Sequence, residues 1–141
     1  MLSQIDFIWS SKKDFNALSP LYNYFSLKNK SYYKFYKIHR NKLLNKIKTP
    51  KISKYVIISH SHTYYRLTKY GWKGEFFYVD HGISPIKYYS YIYDFFYKAS
   101  LLFYPGEIFK TKMNAILNAN YNKGLLGGYP LADDLINTHI N

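Results

Sequence analysis

The chain has 141 residues, no cysteine and a formal net charge of +12; 48% of it is hydrophobic and 21% aromatic, with 18 Tyr and 10 Phe. This length suits one domain with its own core, and the composition is too apolar for a disordered segment. The composition excludes disulfides, thiolate metal sites and a Cys nucleophile, no run of about 18 apolar residues is present to span a bilayer, and Met1-Leu2-Ser3-Gln4-Ile5 has neither a basic region nor a cleavage site, so a cytoplasmic protein without a signal peptide is expected.

Ile5-Asp6-Phe7-Ile8-Trp9-Ser10 predicts a first strand. A helix is predicted over 16–27, where Ser19-Pro20 either opens it as cap and first residue or breaks a longer one. Residues 32–38 alternate in part and suit a second strand. Residues 40–47 form a short helical stripe with Leu43, Leu44 and Ile47 on one side and Lys on the other, ended by Thr49-Pro50. Tyr55-Val56-Ile57-Ile58-Ser59 is the clearest buried strand, short and β-branched, as parallel strands covered on both faces are. A helix within 60–70, closed by Gly71, leads to a strand over 75–79. Ser84-Pro85 opens a helix running to about Lys98, with Ile86, Tyr89, Ile92, Tyr93 and Phe96 along one face. A strand at 101–104, a helix from Glu107 to about Leu117, a short strand at 124–128 and a short helix at 132–136 complete the series. Strands alternating with helices at this spacing predict one α/β domain over residues 1–141, with a doubly wound, mainly parallel sheet.

The charge is lopsided. No acidic residue lies between Asp14 and Glu75, a stretch that holds 13 of the 20 Lys and Arg, while the remainder is close to neutral. Such a field attracts phosphate-rich partners. With Lys34, Lys37, Lys42 and Lys46 interleaved with Tyr32, Tyr33, Phe35 and Tyr36, it reads either as a patch for an anionic membrane surface or as a single-strand nucleic-acid surface with stacking aromatics. No RNP, helix-turn-helix or zinc-finger pattern supports sequence-specific reading of nucleic acid.

Three predicted strand ends share one edge of such a sheet: Asp80-His81-Gly82, Pro105-Gly106-Glu107 and Gly128-Tyr129-Pro130. Each precedes a predicted helix N-terminus, where free N–H groups and the helix dipole favour phosphate. Gly82 and Gly106 lack the Cβ that blocks close approach. His81 is the candidate base, because imidazole titrates near neutrality. Ser84 reads as a helix cap that leaves the amides of Gly82 and Ile83 to meet a phosphate. Glu107 reads as a favourable helix N-terminal charge before it reads as a ligand contact. His60-Ser61-His62 also follows a strand; no third ligand is spaced for zinc, so these are polar loop residues or, for His60, a cleft contact. His39 and His139 read as surface residues. Tyr88, Tyr89, Tyr91, Tyr93 and Tyr97 cover several faces of one helix, some for packing, others for an interface or a sugar-stacking surface.

At these three points the sequence resembles a known family. Val79-Asp80-His81-Gly82-Ile83-Ser84-Pro85-Ile86-Lys87 is similar to the His-Gly-Thr-Pro-x-Lys segment of the CDP-glycerol glycerophosphotransferases, which build teichoic-acid-type polymers. Residues 99–109 resemble their strand, Pro-Ser-Glu turn and helix, and residues 127–135 their Gly-Tyr-Pro-Arg-Asn-Asp-Leu; the order also fits, and the likeness spans residues 55–136. Ser84 stands where the family has Thr, and Leu131-Ala132 where it has Arg-Asn. The resemblance implies a Rossmann-like GT-B half-domain on the acceptor side, with His81 as catalytic base. Gly82, Ile83, Ser84, Gly106, Glu107 and His60 would contact a sugar or phosphate-bearing acceptor. It further implies a nucleotide-activated donor held by a second domain or subunit. No metal and no cofactor is expected. Two other readings remain: a non-catalytic basic module for nucleic acid or anionic polymer, and a nucleotide-sugar epimerase-like half-domain of the same fold type.

Overall fold

The computed structural model describes residues 4–48, 50–80, 94–117, 123–130 and 132. In chain order the elements are β1 (Ile5–Trp9), α1 (Lys12–Lys28), β2 (Tyr33–Lys37), α2 (Lys42–Lys48), β3 (Tyr55–Ile58), α3 (Ser61–Lys69), β4 (Glu75–Val79), α4 (Phe95–Lys98), β5 (Leu101–Tyr104), α5 (Glu107–Leu117) and β6 (Gly124–Leu126). The strands form one six-stranded sheet in the order β2-β1-β3-β4-β5-β6. Every pair is parallel. This is a doubly wound, Rossmann-like α/β fold. The start of the helix expected at 84–98 and the short helix expected at 132–136 lie outside the described residues, as does His139.

The topology follows from handedness. The chain steps from β1 out to β2, then returns across β1 to β3 and continues to β6. Right-handed crossovers taken in opposite directions put their helices on opposite faces. On one face, Leu18 of α1, with Leu21, Tyr22 and Phe25, packs against Phe7, Ile57, Val79 and Phe103. On the other, Leu67 of α3, Phe95 and Phe96 of α4, and Phe109 and Met113 of α5 cover Ile8, Val56, Ile58, Phe76, Tyr78 and Leu102. Strands covered on both faces need apolar residues at successive positions, which is why β3, β4 and β5 stand out in the sequence.

One expectation is corrected, and two are given detail. First, α1 begins at Lys12, capped by Ser11 in a capping box with Asp14, and Pro20 sits inside the helix rather than opening it. Pro20 has no N–H to give the Asn16 carbonyl; the stripe Asp14, Ala17, Leu18, Leu21, Tyr22 and Phe25 carries the helix through, because its burial outweighs that one lost bond. Second, the apolar stripe of α2 faces solvent. Leu43, Leu44 and Ile47 are exposed at 66%, 38% and 71%, and the buried residue is Asn45. Its side chain exchanges two hydrogen bonds with the backbone of His39: His39 N–H donates to Asn45 Oδ1 and Asn45 Nδ2 donates to His39 O, each at 2.6 Å. Third, the aromatics of β2 are partly taken up by packing. Tyr33 and Phe35 pack under α1, with Phe35 stacked on Tyr22 and Phe15 at centroid distances of 5.0 and 5.2 Å. Tyr36 turns to the opposite face and donates its hydroxyl to Asp6 at 2.7 Å.

Asp6 is fully buried within β1, yet it is supplied with donors. Besides Tyr36 it accepts from Ser53 N–H and from Ser53 Oγ, both at 2.8 Å. The carboxylate thereby fastens β2 and the approach to β3 to β1, which lies between them. Burial, and then donation to Asp6, push the Tyr36 phenol far above its ordinary range.

Helix α3 ends as the sequence predicts. Gly71 adopts φ +82°, and the bonds Gly71 N–H to Thr68 O and Trp72 N–H to Leu67 O form a Schellman motif. Among the described residues no helix is long and apolar enough to cross a membrane.

Candidate functional site at the carboxyl edge

In a sheet of parallel strands every carboxyl end lies on one edge, and ligands bind where neighbouring strands send their helices to opposite faces. Here that point lies between β1, followed by α1, and β3, followed by α3. The Ser10-Ser11 turn leaves β1 there, and the Ser59-His60 turn leaves β3.

These two turns are held together by a buried carboxylate. Asp14, with no exposed surface, accepts from Ser10 N–H at 2.9 Å, Ser10 Oγ at 2.8 Å and Ser11 N–H at 3.2 Å through Oδ2, and from Ser11 Oγ at 2.6 Å through Oδ1. From α3, Thr63 Oγ1 reaches Ser10 Oγ at 2.8 Å and Asp14 Oδ2 at 3.2 Å. Burial alone would raise the Asp14 pKa. The hydrogen bonds from the Ser11 hydroxyl, the Ser10 amide and the Ser10 hydroxyl, with the charge of His60, outweigh burial and hold the group below the ordinary aspartate value of 3.8.

His60 is half-buried at the head of α3, where its Nδ1 accepts from His62 N–H at 3.0 Å, and the two imidazoles lie 4.6 Å apart between centroids. It therefore caps its own helix and also borders the switch point. Gly106 and Glu107 follow β5 on the same edge. A Cβ at Gly106 would meet nothing within 4 Å, so this glycine is not required by packing, and Glu107 is exposed in the first turn of α5. Asp80 closes β4 and is 4% exposed. His81, Gly82, Ile83 and Ser84 lie outside the described residues. The structure thus sets His60, Asp80, Gly106 and Glu107 along one edge, on the ends of the adjacent strands β3, β4 and β5.

The sequence reading passed over a second set of residues, between α3 and the turn after β2. A groove of about 420 Å³ is lined by Arg40, His62, Tyr65, Arg66, Lys69 and Tyr70. Four of these, His62, Tyr65, Arg66 and Lys69, recur at three- and four-residue steps along one face of α3, a spacing visible in the sequence. Among the described residues no three His, Cys, Asp or Glu side chains gather in a metal-binding cluster. The chain matches no family model, no curated protein and no solved structure.

The Asp14 network makes a signed prediction. A carboxylate whose folded pKa lies below its unfolded value contributes stability that is complete above the unfolded value and is lost as pH falls through the folded one. Asp14→Asn is expected to lower unfolding free energy at pH 7 by about 1–3 kcal/mol. In denaturant titrations the gap between wild type and variant should stay constant well above pH 3.8 and shrink below it. A gap that is absent at pH 7, or that widens on acidification, contradicts the assignment.

Proposed function

We propose that the chain is the acceptor-binding half of a transferase of the glycerophosphotransferase type, with His81 as its base. One observation supports this reading most. The three segments that resemble the family's motifs continue from β4, β5 and β6, which are neighbours in the sheet and share a direction. The points where these segments leave the sheet, Asp80, Pro105 and Gly127, therefore lie side by side on the edge where such folds bind ligands. Gly106 and Glu107 open α5 there, and His60 stands one strand further along.

In this reading His81 takes the proton of an acceptor hydroxyl. The acceptor oxygen attacks the glycerol-bearing phosphorus of a nucleotide-activated donor such as CDP-glycerol. The new P–O bond forms as the bond to the nucleotide phosphate breaks, and the nucleotide leaves with the electron pair. The donor is held by a second domain or subunit; the present chain contributes base, acceptor contacts and helix-terminal amides.

A second reading, compatible with the first, concerns location: a cytoplasmic protein peripheral to an anionic membrane. It rests on α2, whose exposed Leu43, Leu44 and Ile47 are accompanied by exposed Lys42 and Lys46. Apolar side chains that the fold leaves in water, flanked by cations, match the acyl boundary and headgroups of such a surface.

Two outcomes are expected. In the complete transfer system, replacing the chain by His81→Ala should slow glycerophosphate transfer from CDP-glycerol by about 10²-fold or more, the span of a general base; an unchanged rate contradicts the assignment. In co-sedimentation, the protein should bind vesicles containing phosphatidylglycerol but not pure phosphatidylcholine, and Ile47→Glu should reduce binding with no change in folded content. Equal binding of wild type and variant removes α2 from the interface.

A further inference from the structure

We infer that the groove between α3 and the turn after β2 is a binding site for a diphosphate-bearing anion, built from Arg40, Arg66 and Lys69 with His62 at its rim. The inference is independent of His81 and of the transfer reaction, since every residue it uses comes from the β2–α2 turn and α3.

The first argument is charge. Arg40, Arg66 and Lys69 are three permanent cations around one cavity, and no carboxylate is among the residues lining it. Among the described residues none pairs with an acidic group; the salt bridge seen in this half of the chain joins Lys54 to Glu75 at 3.7 Å. The nearest acid along the chain to Arg66 and Lys69 is that Glu75, and Asp14, beside the Ser10 turn that Arg66 reaches, is buried and occupied by the serines and Thr63. Convergent like charges repel and cost folding stability, whereas spreading them over the surface does not. Their convergence on a concave surface therefore calls for a polyvalent counter-charge.

The second argument is rigidity. Arg66 Nη1 donates to Ile38 O at 3.1 Å, with Ser10 O at 3.5 Å, so the guanidinium is fixed over the carboxyl ends of β2 and β1. Tyr70 Oη donates to Arg40 O at 2.9 Å, with His39 O at 3.2 Å, and clamps the turn that carries Arg40. Asn45 holds His39 from the other side. The cations thus sit on a braced turn and one helix face, and a ligand has only the exposed Arg40 and Lys69 side chains left to order.

The third argument is place and size. The groove lies beside the carboxyl ends of β2 and β1, whose following carbonyls Ile38 O and Ser10 O are reached by its Arg66, and open α/β sheets bind their ligands along that edge. Its volume of about 420 Å³ falls in the range of small-molecule sites. Two arginines offer planar forks that match phosphate oxygens, and the lysine adds a point charge. Three cations suit a diphosphate better than a monophosphate. The same chemistry comes from a soluble phosphate compound or from a lipid headgroup.

The test is calorimetric titration of the whole chain with pyrophosphate, orthophosphate and dihexanoyl phosphatidic acid below its micelle concentration. Pyrophosphate is expected to saturate one site and to bind more tightly than orthophosphate. Arg40→Gln with Lys69→Gln should weaken it about tenfold for each charge removed. Both side chains are exposed, and Arg66 is kept because it holds backbone carbonyls. The control pair Lys30→Gln with Lys51→Gln removes the same charge from exposed positions at the opposite end of the sheet and should leave affinity unchanged. Tighter binding of the phosphatidic acid than of orthophosphate assigns the site to a lipid headgroup, and the reverse to a soluble phosphate compound; both uphold it when pyrophosphate exceeds orthophosphate, and orthophosphate binding as tightly as pyrophosphate contradicts it. Loss of affinity of equal size in the two variant pairs, or no saturable binding of any probe, overturns it.

Discussion

The Asp14 carboxylate is the constraint on which the working edge of this protein depends. Two turns that leave adjacent strands in opposite directions would otherwise be joined by little more than the ends of their ladders. Asp14 draws Ser10 and Ser11 from the β1 side and Thr63 from the β3 side onto a single pair of oxygens. A buried carboxylate is costly unless it is supplied with hydrogen bonds, and this one has them from two amides and from hydroxyls. The result is a rigid junction from which His60 and the α3 face project.

A second buried carboxylate works at the other end of β1. Asp6 collects Tyr36 and Ser53, so β1 is braced at its beginning by one acid and just past its end by another. Between them the faces of the sheet are filled mostly by rings: Phe7, Tyr22, Phe25 and Phe35 on one side, Phe76, Tyr78, Phe95 and Phe96 on the other. Among the described residues, many of the aromatic side chains are spent in packing. The basic residues are left outside, and those brought together by the β2–α2 turn and α3 form the charged groove.

How much of this was legible in the sequence depended on how local the signal was. β3, β4 and β5 are continuous apolar runs between breakers, and their expected positions match the strands found to within a residue. The start of α1 was missed because Ser19-Pro20 is the more conspicuous signal, while the Ser11-to-Asp14 capping spacing carried the answer. The exposure of Leu43, Leu44 and Ile47 is set by Asn45 and its grip on His39, a pairing that helical periodicity does not encode. At the site, the shared edge of His60, Gly106 and Glu107 followed from strand direction alone. The groove did not, since Arg40 reaches it from a separate turn; only the α3 half, with its recurrence at 62, 66 and 69, was written in the spacing.

The central claim is that Asp14 and Thr63 couple the two halves of the sheet across the switch point. The most direct measurement is a double-mutant cycle, with Asp14→Asn and Thr63→Val made singly and together and unfolding free energies taken at pH 7. The account predicts a coupling of about 1 kcal/mol or more between the two sites. Effects that add to within about 0.3 kcal/mol would contradict it, because contacting members of one hydrogen-bond network do not behave independently.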